Sequence, residues 1–471
     1  MIYHHLFDKF RKQDEVQAAV IGAGHFGTAV VTQQNYTQRL RIVAVCDRQL
    51  ESAKQAFLKA EIPEEKIAYC NDPQQAQQWI DDGGYVYTDD AMILMDIASI
   101  DIICEGTGVP EAGARYCKCA LEKGKHIAAI SKEMDSVIGP ILKKMADERG
   151  LTYSPVDGDQ PALLMQLIEW ARTIGLTVIS AGKARDAEYV LDEQAGTVSV
   201  KADGITIMED AQVHISPEDL QYFKKIPQGK AEEYLKKRAE LLAPLPPAGG
   251  FDLCEMVMVA NATGMKVLQD VPGMRQGTLR ITELPVAYTS KKNGGVFPEE
   301  GVIDLCTNLR RPDESGMGGG VYMVVRCDNA YSNYILTTKG QIPNEDCTAA
   351  VIYRPYHLCG VEVSTTLLCQ GLLGIDTGTG QYLPHYDLAK RAARDIKAGE
   401  VLGNDHDPKL DPLIVPAAKQ AADQPIPAHL ISGNRAKQDI PAGTVITYAM
   451  VERPENSVLW KLREEQERVF L

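Results

Sequence analysis

The chain has 471 residues, enough for two to four domains with substantial cores. Hydrophobic residues make up 45% and charged residues 24%, the balance of an ordinary globular protein. The formal net charge of −15 argues against nucleic acid or an anionic membrane as main partner, but not against a small anion held by local basic groups.

Residues 1–13 read as a short amphipathic helix that Leu6, Phe7 and Phe10 would dock. "QAAVIGAG" then reads as a buried strand, with a helix starting near Thr28. "RLRIVAVCD" is a second strand ending at Asp47, "LESAKQAFLKA" has helical spacing, and "KIAYC" is a short strand. "IDIICEGTG" is another buried strand, followed by the helix "PEAGARYCKCALEKG" with Pro110 in its first turn. "KHIAAISK" (strand), "GPILKKMADERG" (helix, closed by Gly150) and "LTYSPVDGD" (strand) continue the rhythm. Apolar strands alternating with helices describe a parallel sheet covered on both faces.

Beyond about residue 160 the pattern changes. "ALLMQLIEWARTIG" is a strong helix, and "LTVISAGKARD" a strand running into a basic loop. Residues 185–250 are polar and less regular; "SPEDLQYFKK" carries a helix start with Ser216 as N-cap, and "LLAPLPPAGG" is a loop or boundary. "DLCEMVMVANATG" is a helix stopped at Gly264. Glycine-rich segments such as "ESGMGGGVYMVVRCD" complete an α+β region. Near the end, "RDIKAGEVL" and "QDIPAGTVIT" share Asp-Ile-x-Ala-Gly-x-Val, each a turn between short strands with Gly399 and Gly443 in the left-handed region. The expected fold class is α/β: a Rossmann-type doubly wound parallel sheet over 1–155, an α+β substrate domain over 156–385, and a small all-β domain over 386–471.

The 11 cysteines lack paired metal or redox spacing and read as reduced thiols. The stretch "MIYHHLFDKFRKQDE" lacks a signal-peptide core, and there is no run of ~18 apolar residues, so the expected compartment is the cytoplasm.

"VIGAGHFGT" contains Gly22-Ala23-Gly24-His25-Phe26-Gly27, a G-x-G-x-x-G. It follows a strand, opens a helix, and precedes an acidic residue, Asp47, that ends the next strand. That context identifies a dinucleotide loop. Gly22 permits the tight turn, Gly24 lets backbone approach a diphosphate, and Gly27 allows close helix–strand packing. The helix aims free N–H groups and its positive end at the phosphates. Asp47 would accept from the adenosine ribose hydroxyls, which favours NAD, whereas Arg48 is placed to meet the 2′-phosphate of NADP. Gly106-Thr107-Gly108 ends the strand expected beside the first, and Ser131 and Lys132 end the next; these should face the same crevice.

Candidate chemistry lies further along. Asp159 in "DGDQP" either caps a helix or faces substrate. Lys183 and Arg185 in "SAGKARD" suit an oxyanion or proton transfer at a carbonyl. "YRPYHLCGVE" brings Arg354, Tyr356 and His357 within four residues: an arginine to grip a carboxylate or phosphate, and two groups able to relay a proton. Glu255 and Asn261 share a helix but point apart, so at most one faces a ligand.

Taken together, "AVIGAGHFGT", "EGTGVPEAG", "SPVDGDQPALLMQLIEW", "VISAGKA", "EMVMVANATG" and "YRPYHL" resemble the homoserine-dehydrogenase-like NAD(P) oxidoreductases with a carboxy-terminal SAF (β-clip) domain, which the repeated Asp-Ile-x-Ala-Gly-x-Val resembles in turn. One branch of that group is the 1-deoxy-D-xylulose 5-phosphate reductoisomerase-like enzymes, which use NADPH and a divalent metal. The resemblance implies an NAD(P)-linked oxidoreductase, a site between the Rossmann and middle domains, and a homo-oligomer. The expected activity is hydride transfer between NAD or NADP and a small polar, anionic hydroxy or oxo compound: a sugar acid, a polyol phosphate or a hydroxy amino acid. Arg354 and Lys183 would hold the anion, and His357 or Tyr356 would relay the proton. Two alternatives stay open: a reductoisomerase with a metal at Asp157, Asp159 or Glu255, and a non-catalytic NAD-binding sensor. No ligand spacing demands a metal.

Overall fold

Short runs of β-branched and small apolar residues build the first sheet. In the computed structural model, which describes residues 2–202, 207, 209–246, 250–378 and 380–471, seven strands align. They are β1 (Val16–Ile21), β2 (Leu40–Cys46), β3 (Ile67–Tyr69), β4 (Tyr85–Thr88), β5 (Ile102–Glu105), β6 (His126–Ala129) and β7 (Tyr153–Pro155). Their order is β3-β4-β2-β1-β5-β6-β7, and every neighbouring pair is parallel. The chain moves outward from β1 in one direction through β2 and in the other through β5. Loops after β1 and β5 therefore diverge at a switch point, where doubly wound sheets bind ligands. Helices α1 (Ile2–Phe10), α2 (His25–Gln33), α3 (Leu50–Lys59), α4 (Pro73–Asp81), α5 (Ala91–Met95), α6 (Pro110–Glu122) and α7 (Lys132–Asp147) belong with this sheet.

The chain forms two units, residues 1–162 with 358–404 and 417–471, and residues 163–357 with 405–416. In the first, a short helix at Val363–Leu368 adds Val363, Leu367 and Leu368 to the core of β1 and β2. The echoed segments pair with each other: Ile396 and Ile440 exchange both backbone hydrogen bonds, at 2.9 and 2.8 Å. Asp439 of the second copy accepts from Ala398 N–H of the first, and Asp395 of the first from Ala442 N–H of the second, both at 2.9 Å. Gly399 and Gly443 occupy matching turns at φ 85° and 80°. The C-terminal helix, Val458–Phe470, is capped by α6, whose Glu111 accepts from Ser457 Oγ and, at 2.7 Å, from Val458 N–H.

After α8 (Gln160–Thr173) the second unit opens with β8 (Thr177–Lys183), then β9 (Tyr189–Asp192), β10 (Thr197–Val200) and β11 (Ala211–His214). Helices α9 (Ala231–Leu242) and α10 (Gly250–Thr263) follow, then β12 (Gly277–Leu279), β13 (Val302–Ile303), β14 (Cys306–Arg310), β15 (Val321–Arg326), β16 (Ile342–Pro343) and β17 (Ala350–Arg354). Two five-stranded sheets result, β11-β10-β9-β14-β12 and β13-β8-β15-β17-β16.

The α/β class expected from sequence is the observed one, with local differences. Helix α2 starts at His25 rather than Thr28, because Gly24, at φ −70° and ψ −164°, serves as N-cap and its carbonyl takes Thr28 N–H. Phe7 is buried but Phe10 is 57% exposed, so α1 docks through less of its apolar face than expected. "SPEDLQYFKK" forms only a 3-10 turn, Asp219–Phe223, with Ser216 Oγ accepting from Asp219 N–H. β4 has no counterpart among the strands expected from sequence. The expected boundary "LLAPLPPAGG" falls partly on residues 247–249, outside the described residues.

Candidate active site

The loop after β1 is shaped by what its glycines exclude. Gly22 lies at φ 101°, and a Cβ there would overlap the Gly106 carbonyl at the end of β5. A Cβ on Gly27 would overlap the Gly22 carbonyl. A Cβ on Gly24 would touch no protein atom, and Gly24 lines a cleft of about 290 Å³. Ile21, Gly22, Gly24, Cys46, Asp47, Arg48, Asp89, Gly106, Thr107, Val109, Ala112 and Tyr116 line that cleft. Asp47 Oδ2 accepts from Ala23 N–H and Oδ1 from Gln49 N–H, both at 2.8 Å. The carboxylate is thereby fixed against the glycine loop. Arg48 and His25 are exposed, and Phe26 packs on the core. The first turn of α2 presents N–H groups that no helix carbonyl reaches. A cradle with open space at Gly24, free N–H groups and a fixed acid fits a dinucleotide.

The second loop is held from below by Glu105, a residue with no signal in the sequence pattern. Its buried carboxylate accepts from Thr107 N–H at 2.9 Å and Thr107 Oγ1 at 2.6 Å. Burial raises the pKa of Glu105, while the bonds from Thr107 oppose that. Ser131 Oγ accepts from Gly108 N–H at 2.9 Å, so Ser131 braces the loop rather than lining the cleft. Lys132 opens α7 and pairs with Asp159 at 3.0 Å. Asp159 immediately precedes α8 and is buried, its Oδ1 also accepting from Gln160 N–H at 3.1 Å.

In the second unit, Lys183 is not on a solvated loop. It is the last residue of β8, with a side chain 0% exposed. Its Nζ lies 2.9 Å from Asp252 and 2.5 Å from Glu255, neighbours three apart on α10 and themselves buried. A buried ammonium demands such partners. Arg185 is buried too and donates to the Pro246 carbonyl at 3.1 Å. Burial pushes the pKa of Asp186 up; Lys183 and His357 pull it down, and Glu255 and Asp252 push it up again. Three carboxylates and one ammonium thus bear on this part of the second unit.

A glycine loop closes over this cluster. Glu188 accepts from Met317 N–H at 2.5 Å and Gly318 N–H at 3.0 Å, and also from Asn308 and Arg310. Gly319 sits at φ 68°; a Cβ there would collide with Asp186 Oδ1 and come within 2.5 Å of His357 Cε1. Asp186 and His357 therefore flank a single point. A Cβ on Gly320 would reach the Arg354 carbonyl at 2.5 Å. Arg354 ends β17 with its guanidinium 4.7 Å from the centre of the Tyr356 ring, and Tyr356 is 51% exposed.

The structure brings Lys183, Glu255 and His357 to one cluster, adjoins Arg354 to Tyr356, and puts Asp159 with Lys132 instead. Asn261 is buried on α10. Asp159 and Glu255, considered for a metal, each pair with a lysine; among the described residues no group of three or more His, Cys, Asp or Glu is set to hold a metal ion. Asp186, Asp252 and Glu188 are the members that sequence reasoning missed. The only signal was Asp186 itself, inside "SAGKARD".

Residues 158–223 and 248–363 match the family described as oxidoreductase DRL, catalytic domain, and residues 390–452 match the SAF domain. The chain thus carries an oxidoreductase catalytic domain followed by a SAF domain. The first match contains Lys183, Asp186, Asp252, Glu255, Arg354, Tyr356 and His357. Among solved structures, the chain is similar to a putative oxidoreductase, yvaA, of Bacillus subtilis, at 14% identity over 40% of this chain and 48% of that one, TM-score 0.26. It is similar to the 1-deoxy-D-xylulose 5-phosphate reductoisomerase of Zymomonas mobilis in complex with NADPH, at 21% over 36% and 46%, TM-score 0.27. It is also similar to the homoserine dehydrogenase of S. aureus, at 17% over 34% and 43%, TM-score 0.21. The chain spans less than half the length of each of these structures. None of the curated proteins compared with the chain matches it. Among the described residues no helix is long and apolar enough to cross a membrane.

Proposed function

We propose that the protein is an NAD(P)-dependent oxidoreductase of the homoserine-dehydrogenase-like kind. It would move a hydride between nicotinamide and a hydroxyl or carbonyl carbon of a small polar, anionic substrate. The observation that carries this reading is the cleft at the β1 loop, open at Gly24 and bounded by an Asp47 carboxylate fixed on Ala23 N–H. The oxidoreductase domain match supports it.

In this reading the free N–H groups at the start of α2, beyond Gly24, hold the diphosphate. Asp47 holds the adenosine ribose and favours NAD, because a 2′-phosphate would meet its negative charge. The bound coenzyme supplies or accepts the hydride. Arg354 grips the substrate's carboxylate or phosphate through its planar fork. His357 takes a proton from the substrate hydroxyl, or returns it, with Asp186 beside it to stabilise the charged ring. Lys183, paired on both sides, holds Asp252 and Glu255 in place rather than touching substrate.

Calorimetry with NAD and NADP tests the cleft, and a nicotinamide absorbance screen over sugar acids, polyol phosphates and hydroxy amino acids tests the reaction. Saturable binding of one coenzyme with turnover of at least one compound is expected. Absence of binding to either coenzyme overturns the reading.

A further inference from the structure

The coenzyme cleft extends beyond Asp47 to a second acid. Asp89 follows β4 and lines the same cleft. The ends of the three strands are level: Gly22 N–H donates to the Cys46 carbonyl at 2.8 Å, and Asp47 N–H to that of Thr88 at 3.1 Å. Neighbouring strands lie about 4.8 Å apart, so the carboxyl edge runs roughly 10 Å from the β1 loop to Asp89. In an adenine dinucleotide the order outward from the diphosphate is sugar, then base. The β1 loop takes the first position, Asp47 the second, and Asp89 the third.

The surroundings suit a purine. Val109, Ala112 and Tyr116 are spaced three and four apart at the start of α6 and present one face to the cleft. Two apolar side chains and an aromatic ring make a wall for a flat base. Next to Asp89, Asp90 is committed to capping α5, accepting from Met92 N–H at 2.9 Å. Asp89 is exposed, and its one side-chain hydrogen bond among the described residues is from Tyr69 Oη at 3.3 Å. A carboxylate offers acceptors alone. Of the purine substituents at position 6, the adenine amino group is a donor and a 6-oxo group an acceptor.

We infer that Asp89 is the base-specificity residue of the cleft, accepting a hydrogen bond from the adenine 6-amino group. This rests on the coenzyme reading above. The test is calorimetry of the full chain with NAD and with its hypoxanthine analogue, whose base carries oxygen at position 6, and with the corresponding NADP pair. The wild type is expected to bind the adenine coenzyme at least about tenfold more tightly than the analogue, the scale of one hydrogen bond to a charged group. Asp89→Ala should weaken the adenine coenzyme about tenfold and leave the analogue unchanged or slightly improved. Asp89→Asn, which can accept from an amino group or donate to an oxo group, should bring the two ligands within about threefold of each other. Equal binding of both ligands by the wild type, or undiminished discrimination in Asp89→Ala, overturns the inference while leaving the coenzyme reading intact. Failure of the wild type to bind any of the four ligands overturns both.

Discussion

Two glycine-rich loops in this molecule look alike in sequence and do opposite things. At Gly22–Gly27 the chain drops side chains at two positions for its own packing and at one, Gly24, where nothing of the protein follows. At Gly316–Gly320 the missing side chains at 316, 318, 319 and 320 are answered by the protein itself: Glu188, Asp186, His357 and the Arg354 carbonyl. The first loop keeps room at its surface; the second seals a charged cluster. Glycine content alone does not separate a ligand cradle from a packing device. What a Cβ would meet does.

The largest effect should come from the sealed cluster's charge. Lys183→Met leaves Asp252 and Glu255 buried without their ammonium, a loss of about 3–5 kcal/mol in denaturant unfolding. A stable Lys183→Met protein would mean that the cluster opens to water. Next comes the seal. Gly319→Ala meets both a left-handed backbone and the Asp186–His357 pair, and should lose about 3 kcal/mol by the same measurement.

A smaller effect concerns pH. Asp304 follows β13 in the second unit; its side chain accepts three backbone N–H groups, yet burial holds its pKa up to about 7, against an ordinary value of 3.8. The folded state therefore keeps a proton that the unfolded chain releases, so Asp304 costs stability as pH rises between the two values. Its contribution is a decline of about 2 kcal/mol from pH 5 to pH 7, since one bound proton changes the unfolding free energy by at most about 1.4 kcal/mol for each pH step of one. Asp304→Asn should flatten that part of the unfolding profile; an unchanged slope would show that the carboxyl is ionised throughout. The smallest effect on stability should come from the first loop. Gly24→Ala is expected to change unfolding free energy by less than about 1 kcal/mol, while weakening coenzyme binding tenfold or more in calorimetry. If coenzyme affinity survives Gly24→Ala, the contrast between the loops fails.

The sequence was most legible where structure is local. The β1 loop, Asp47 and the echoed Asp-Ile-x-Ala-Gly-x-Val are each read within a few residues, and the alternation of apolar strands and helices gives the parallel sheet. β4 escaped because it is four residues long, between Gly-Gly and Asp-Asp, with aromatics alternating instead of an apolar run. The polar cluster was legible only in pieces. Lys183, Glu255 and His357 stood out by type, but burial of Lys183 depends on its pairing with Asp252 and Glu255, about seventy residues away on a helix whose apolar character concealed Asp252. Such pairings are set by tertiary packing, which no local spacing encodes. The triple glycine was visible, but its purpose depended on Asp186 and Arg354 arriving from either side.

The reciprocal capping of the two Asp-Ile-x-Ala-Gly-x-Val copies has a consequence for how the SAF segment can arise and fail. Each half-module completes its turn with an aspartate borrowed from its twin, so neither is self-sufficient. A chain interrupted between residues 402 and 438 would hold two unfinished halves; two such chains could trade them, making this the place where strand exchange between molecules would preserve every native bond.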